Sequence, residues 1–161
     1  MDFLGAISSD IIGSCLRITT IQAGMTSKTL VSTPEAVPPL PVFSQAVISR
    51  GHVYVSGNIG CTKDFKIVEG GVKAQTRAAL ENLSIVLKAA GSGLDHIVKA
   101  NIYLSHMERD FKPMNEIYIQ FFKPETMPAR TCVGVAKLPM GAAVEIECIA
   151  EIPGTTAIAK L

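Results

Sequence analysis

The segment Met127-Pro128-Ala129-Arg130-Thr131-Cys132-Val133-Gly134-Val135 carries the most specific chemistry in this chain. Residues i and i+2 of an extended strand share a face, so Arg130 and Cys132 point the same way. Pro128 and Ala129 deliver the arginine at the start of that strand, where a ligand can meet it. A guanidinium held there suits a small carboxylate, because its planar fork donates two parallel hydrogen bonds. Taken alone, the same spacing more often describes a surface arginine in a salt bridge. Cys132 has the chemistry of a nucleophile, yet no histidine is placed by sequence to activate it. The commoner role of such a cysteine is a small core residue or a backbone contact to a ligand.

Glu145 and Glu147 alternate along another extended segment and could supply a general base or a group that orients water. Alternate glutamates on a strand are usually a solvated face. Asn115 sits beside an apolar helical stripe, where capping or surface exposure is the default. Gly57-Asn58-Ile59-Gly60 is too short and wrongly placed for a phosphate loop. Cys15, Cys61, Cys132 and Cys148 form no C-x-x-C pair, and His52, His96 and His106 show no H-x-x-x-H spacing. Zinc needs about four convergent ligands, so no metal site is expected. Reduced thiols inside a cell are the plainest reading of those cysteines.

These groups need elements to hold them. Four prolines in residues 33–41 (TPEAVPPLP) exclude helix and central strand, leaving an extended lead-in. Residues 43–49 and 52–57 read as a hairpin about Arg50-Gly51. Val72, Thr76, Ala79, Leu80, Leu83, Val86, Leu87 and Ala90 recur at three and four, predicting a helix over 72–90 that Gly91-Ser92-Gly93 stops. Residues 96–105 read as a strand with Ile97, Lys99, Asn101 and Tyr103 on one side. A second helix is expected from Glu108 or Asp110 to Phe122, with Pro113 in its first turn. Two further strands follow, over 130–137 and 143–152. The expected order is β-β-α-β-α-β-β, an α+β fold of one sheet with both helices on one face. On the last strand Val144, Ile146, Cys148, Ala150 and Ile152 oppose Glu145, Glu147, Ile149 and Glu151. A face mixing carboxylates with Ile149 is neither core nor plain surface, and predicts oligomerisation.

One hundred and sixty-one residues allow a single domain. Fifteen Lys+Arg against 14 Asp+Glu give a net charge of +1, which offers no phosphate-tracking field and argues against general nucleic-acid binding. No apolar run reaches the length of a membrane span. Residues 1–25 differ from the rest: Asp2 and Asp10 spoil a secretory signal, and Arg17 stands alone where a mitochondrial presequence carries several arginines. They read as a poorly ordered extension or rudimentary leader ahead of a domain over 26–161. Ala159-Lys160-Leu161 is a variant of the S-K-L peroxisomal address, beside an otherwise cytoplasmic expectation.

Seven blocks in one order make the pattern more than generic. They are Val42-Phe43-Ser44-Gln45-Ala46, Val55-Ser56-Gly57-Asn58-Ile59, Ala89-Ala90-Gly91, and Met114-Asn115-Glu116-Ile117-Tyr118 with Phe121-Phe122. Pro128-Ala129-Arg130-Thr131-Cys132-Val133, Leu138-Pro139 and Val144-Glu145-Ile146-Glu147 complete the set. From Lys28 to Ile152 the chain resembles the reactive intermediate deaminase family, also called YjgF or RidA. The resemblance implies a chorismate-mutase-like homotrimer, its three sheets closing a barrel with ligand clefts between subunits. It implies cofactor-free hydrolysis of enamines and imines such as 2-aminoacrylate, 2-iminobutanoate and 2-iminopropanoate to 2-keto acids and ammonia. By position, Arg130 matches the carboxylate-gripping arginine and Glu145 the glutamate that handles water. Cys132, Asn115 and Ser56 match lining positions.

Two departures stand out. Phe43 replaces the tyrosine of many members, and Asn58 replaces the usual glutamine. The lost hydroxyl leaves a more apolar pocket, open to larger substrates or to an imine of a specialised biosynthetic route. The resemblance also carries an RNA-directed alternative, as ribonuclease or translation inhibitor, against which the near-neutral charge argues. A non-catalytic ligand binder using the same clefts is the third reading.

Overall fold

The strongest periodic segment folds into α1 (Gly71–Ala89), one residue earlier at each end than its spacing predicts. This computed structural model describes residues 28–154; the expectations for residues 1–25 and for Ala159-Lys160-Leu161 lie outside the described residues. Val72, Thr76, Ala79, Leu80, Leu83, Val86 and Leu87 form the buried stripe of α1. Full burial of each leucine is worth about 1.5–3 kcal/mol relative to exposure. Gly91 ends the helix at φ 77°, a left-handed conformation that a side chain would strain. Its N–H donates to the Lys88 carbonyl at 3.0 Å, and that of Ser92 to Leu87 at 2.9 Å. This paired termination is a Schellman motif.

Among the described residues six strands form one mixed sheet: β1 (Thr29–Val31), β2 (Ala46–Ser49), β3 (His52–Ile59), β4 (Ile97–Leu104), β5 (Ala129–Gly134) and β6 (Val144–Glu151). Their spatial order is β1-β2-β3-β6-β4-β5. Only β4 and β5 run parallel, as the crossover through α2 (Met107–Tyr118) requires. The β2–β3 hairpin turns on Arg50 and Gly51, both at positive φ, which suits the twist of a two-residue turn. Both helices pack their buried stripes against one face of the sheet, giving the α+β arrangement the sequence predicts. None of the helices among the described residues is long and apolar enough to cross a membrane.

Several expectations need correction. Residues 43–45 stay outside the ladder, because β2 begins at Ala46. β5 stops at Gly134 rather than residue 137. The short β1 has no counterpart in the sequence reading, since three residues cannot display a period. Helix α2 starts at Met107, so Pro113 lies in its interior, where the ring deletes one backbone hydrogen bond. Its α-helical part ends at Tyr118, and a tighter 3-10 turn carries the chain to Phe121. Ile97 does not share a face with Lys99: a register shift between them turns Ile97 into the core. The alternation on β6 holds, with Val144, Ile146, Cys148 and Ala150 buried and Glu145, Glu147 and Ile149 half-buried on the other face.

Candidate functional site

Arg130 enters the helix-covered side of the sheet. On the parallel ladder it lies opposite Ala100, and Cys132 opposite Ile102, both core residues of β4. Residues paired in register share a face, so Arg130 and Cys132 look toward α2, as one face but not as an open surface. There Nη1 of Arg130 donates to Oδ1 of Asn115 at 2.5 Å. The guanidinium carbon lies 5.0 Å from the centre of the Tyr118 ring and 5.9 Å from that of Phe111. Both distances are within cation–π range. Phe111, Asn115 and Tyr118 recur at i, i+4 and i+7, one stripe of α2, and that spacing was the available signal for the two aromatics. Asn115 is the one hydrogen-bond partner of Arg130 among the described residues, which leaves most of the guanidinium's five donors for an incoming anion.

Cys132 is half-buried, and burial pushes its thiol pKa up against the opposing pull of Arg130. A thiol held in its neutral form is a poor nucleophile, which favours the lining role. The hydroxyl of Tyr118 is buried with no hydrogen-bond partner among the described residues. Desolvation takes its pKa to about 12.

Glu145, Ser56 and Phe43 meet elsewhere, around a cavity of about 230 Å³. Its outer wall is the proline-rich segment, which hydrogen bonds hold in place. Gln45 Nε2 donates to the carbonyls of Thr33 (3.1 Å) and Val37 (2.8 Å), while its Oε1 accepts from the Thr33 N–H at 2.7 Å. Asn82 of α1 accepts from the Val37 N–H at 2.7 Å and donates to Oδ1 of Asn58. A bulge in β3 between Val55 and Asn58 turns Ser56 and Gly57 out of the regular ladder, and the Ser56 hydroxyl donates to the Ser44 carbonyl at 2.6 Å. The carboxylate of Glu145 lies directly over Gly57. A Cβ at that position would stand 1.9 Å from Oε1, so only glycine leaves the carboxylate its place. Gln75 of α1 fixes the approach to β6 by accepting from the Ala143 N–H at 2.7 Å.

Burial raises the Glu145 pKa above the ordinary carboxyl value, and the nearby Glu147 adds to it. Glu147 is itself anchored: its Oε1 accepts from Asn101 (2.8 Å) and from the Tyr103 hydroxyl (2.9 Å). Glu145 pairs with Tyr103, which pairs with Val133 on β5. Its face therefore alternates with that of Arg130 and Cys132. Within one chain the six candidate residues form two groups: Arg130, Asn115 and Cys132 on the helix-covered side of the sheet, and Glu145, from the opposite face of β6, with Ser56 and Phe43 around the cavity.

Comparison with known proteins decides the family. The sequence model described as endoribonuclease L-PSP matches residues 33–152. This chain belongs to that family, also called YjgF/RidA. Among RidA relatives, RutC family protein UK114 of Drosophila melanogaster is 49% identical over 122 residues, 75% of this chain and 87% of that protein. The human 2-iminobutanoate/2-iminopropanoate deaminase is 40% identical over 130 residues, 80% of this chain and 93% of that protein. The crystal structure of yeast Mmf1 superposes with a TM-score of 0.74 at 39% identity, covering 78% of this chain and 98% of Mmf1. The name of the yeast protein places it in mitochondria, and that of an Arabidopsis thaliana RidA relative in chloroplasts.

Proposed function

We propose that this RidA-family protein hydrolyses 2-imino acids, including 2-iminobutanoate, 2-iminopropanoate and the tautomers of 2-aminoacrylate, to 2-keto acids and ammonia. The observation that carries this reading is Arg130, held by Asn115 and flanked by Phe111 and Tyr118 with most of its donors free. Such a fork is a receptor for a carboxylate already in position before the ligand arrives. The second requirement is a base near the reacting carbon. The Glu145 carboxyl has no hydrogen-bond or ion-pair partner among the described residues, and burial with the neighbouring Glu147 raises its pKa above the ordinary carboxyl value.

The chemistry then needs little more. Glu145 takes a proton from water as the water oxygen bonds to the imine carbon, and hands it to the imine nitrogen, giving a neutral tetrahedral carbinolamine. The carboxylate then takes the carbinolamine hydroxyl proton and delivers it to the same nitrogen as the C–N bond breaks, so the nitrogen departs as ammonia and the carbon keeps the new oxygen as a carbonyl. Imine and water become keto acid and ammonia with no change of oxidation state. An imine carbon is already electrophilic, so orientation and proton handling supply the catalysis. Because Arg130 and Glu145 lie on opposite faces of one chain, the reading places each site between two copies in a homotrimer. The half-buried face bearing Glu147, Tyr103 and Ile149 is the surface on which copies would meet.

The RNA-directed reading, drawn from the family description, has less support: a net charge of +1 neutralises few phosphates. Residues 26–161 are assigned to the catalytic domain and residues 1–25 to an N-terminal extension. The test is direct. A threonine dehydratase generates 2-iminobutanoate in the presence of semicarbazide, and added protein should divert flux from semicarbazone to free 2-ketobutanoate. Unchanged partitioning at micromolar protein sinks the proposal.

A further inference from the structure

The cavity beside Glu145 constrains the part of the substrate that the arginine does not touch. Its polar lining atoms are largely engaged within the chain. Gln45 bonds to the backbone of Thr33 and Val37 through both ends of its amide. The Ser56 hydroxyl donates to Ser44, while Asn58 donates to the Ser56 carbonyl at 2.6 Å and accepts from Asn82. The carboxyl of Glu145 is the one charged group offered to a ligand. The remaining wall is apolar, with Leu40, Phe43, Phe65, Val86 and Met140 among its members. Leu40, Phe43 and Met140 are each about half exposed, large apolar side chains gathered at one opening. Such clustering marks a binding surface rather than scattered surface hydrophobics.

Size matters as much as polarity. A water molecule occupies about 30 Å³ of liquid, so 230 Å³ is several waters' worth of space. A methyl or ethyl side chain would leave most of it either void, forfeiting dispersion contacts, or filled with water that one carboxyl cannot satisfy. A four- to seven-carbon branch or ring would fill it. Resting on the deaminase reading above, we propose that this cavity receives the substrate side chain and selects 2-imino acids with long, branched or aromatic apolar side chains over 2-iminopropanoate and 2-iminobutanoate. Phe43, Leu40 and Met140 are then specificity-determining residues. They act by the water they exclude, while Glu145 and Arg130 treat every 2-imino acid alike.

The test uses the unmodified protein. An L-amino-acid oxidase with catalase generates the imines of alanine, 2-aminobutyrate, norvaline, leucine and phenylalanine, and semicarbazide competition gives kcat/KM for each. We expect a rise of about fourfold per added methylene from alanine to norvaline, equivalent to about 0.8 kcal/mol each, with the leucine and phenylalanine imines at or above norvaline. In Met140→Trp, which fills the opening, the ratio of the leucine to the alanine imine should fall at least fivefold. A flat or falling series with turnover intact overturns this inference and leaves the deaminase reading standing. Turnover of none of the five imines overturns both.

Discussion

The arginine half and the glutamate half of the candidate site are built on opposite plans. Around Arg130 one stripe of α2 finishes the work within the chain, with an amide on Nη1 and two rings against the guanidinium. Around Glu145 the scaffolding polar groups bond to one another and the carboxyl itself is left without a partner among the described residues. A group that only binds gains from being fixed, since its geometry is set before the ligand arrives. A group that must gain and lose a proton gains from being free, because a strong internal partner would hold it in one state. The two plans also explain the separation. A stripe of helix can brace a guanidinium on the covered face of a sheet, whereas a carboxyl that receives solvent must look the other way.

The sharpest way to break that comparison is to disable each half separately and then mix them. Glu145→Gln keeps shape but removes the base, and turnover should fall by about 10²- to 10⁴-fold. Arg130→Ala should cost about 2–5 kcal/mol of transition-state binding, and Arg130→Lys most of that, because an ammonium lacks the fork. Co-refolding the Glu145→Gln and Arg130→Ala chains in equal amounts should restore activity to about a quarter of wild type, since random pairing reunites the two intact halves at one seam in four. No recovery in mixed oligomers verified by mass spectrometry would mean that both groups act within one chain. A smaller break targets Gly57. Gly57→Ala puts a Cβ onto the Glu145 carboxylate, so kcat should drop well over tenfold while ligand capture through Arg130 persists.

Much of this arrangement is legible in the sequence, with identifiable gaps. The period of α1, the alternation of β6 and the shared face of Arg130 and Cys132 all follow from local spacing. What fails is whatever depends on how strands align. Period two places Arg130 with Cys132 and Glu145 with Glu147, but only the ladder through Ala100 and Tyr103 shows that the two pairs face apart. Ile97 is misassigned for the same reason, because a bulge resets the alternation without a mark in residue types. Asn115 reads as a cap or surface residue since its partner lies 15 residues away on another element. The clamp on the proline-rich segment is equally invisible, because Gln45 and Asn82 look like ordinary polar residues until the loop folds back over them.

The pH behaviour sharpens the contrast from the glutamate side. With deprotonated Glu145 as the proposed base, kcat/KM should fall toward acid with an apparent pKa above that of an ordinary glutamate. Glu147→Gln removes the like charge while its amide oxygen can still accept from Asn101 and Tyr103, and should move that limb to lower pH. Stability carries the opposite sign. A carboxyl whose folded pKa is raised binds more protons folded than unfolded, so its contribution is present at low pH and is lost as pH rises through the folded pKa. Glu145→Gln should flatten that decline in Tm, measured from the ordinary glutamate range upward to neutral pH. An unchanged acid limb in both variants would remove Glu145 from the base role.

The smallest expected effect tests the arginine half. The Tyr118 ring faces the guanidinium at 5.0 Å, but its hydroxyl is buried without a partner among the described residues. Desolvating an unpaired hydroxyl costs about 1–3 kcal/mol, so Tyr118→Phe should stabilise the fold by about 1 kcal/mol once the small void left behind is counted. That corresponds to a rise in Tm of about 2–4 °C for a chain of this size. The ring stays, so kcat/KM should change by less than about twofold, the scale of a second-order cation–π adjustment. Loss of Tm would show instead that the hydroxyl is bonded in the assembled protein. Loss of kcat/KM at unchanged Tm would make it part of the carboxylate receptor. In either outcome the Tyr118 hydroxyl would take its partner from a neighbouring copy or from the ligand rather than from its own chain.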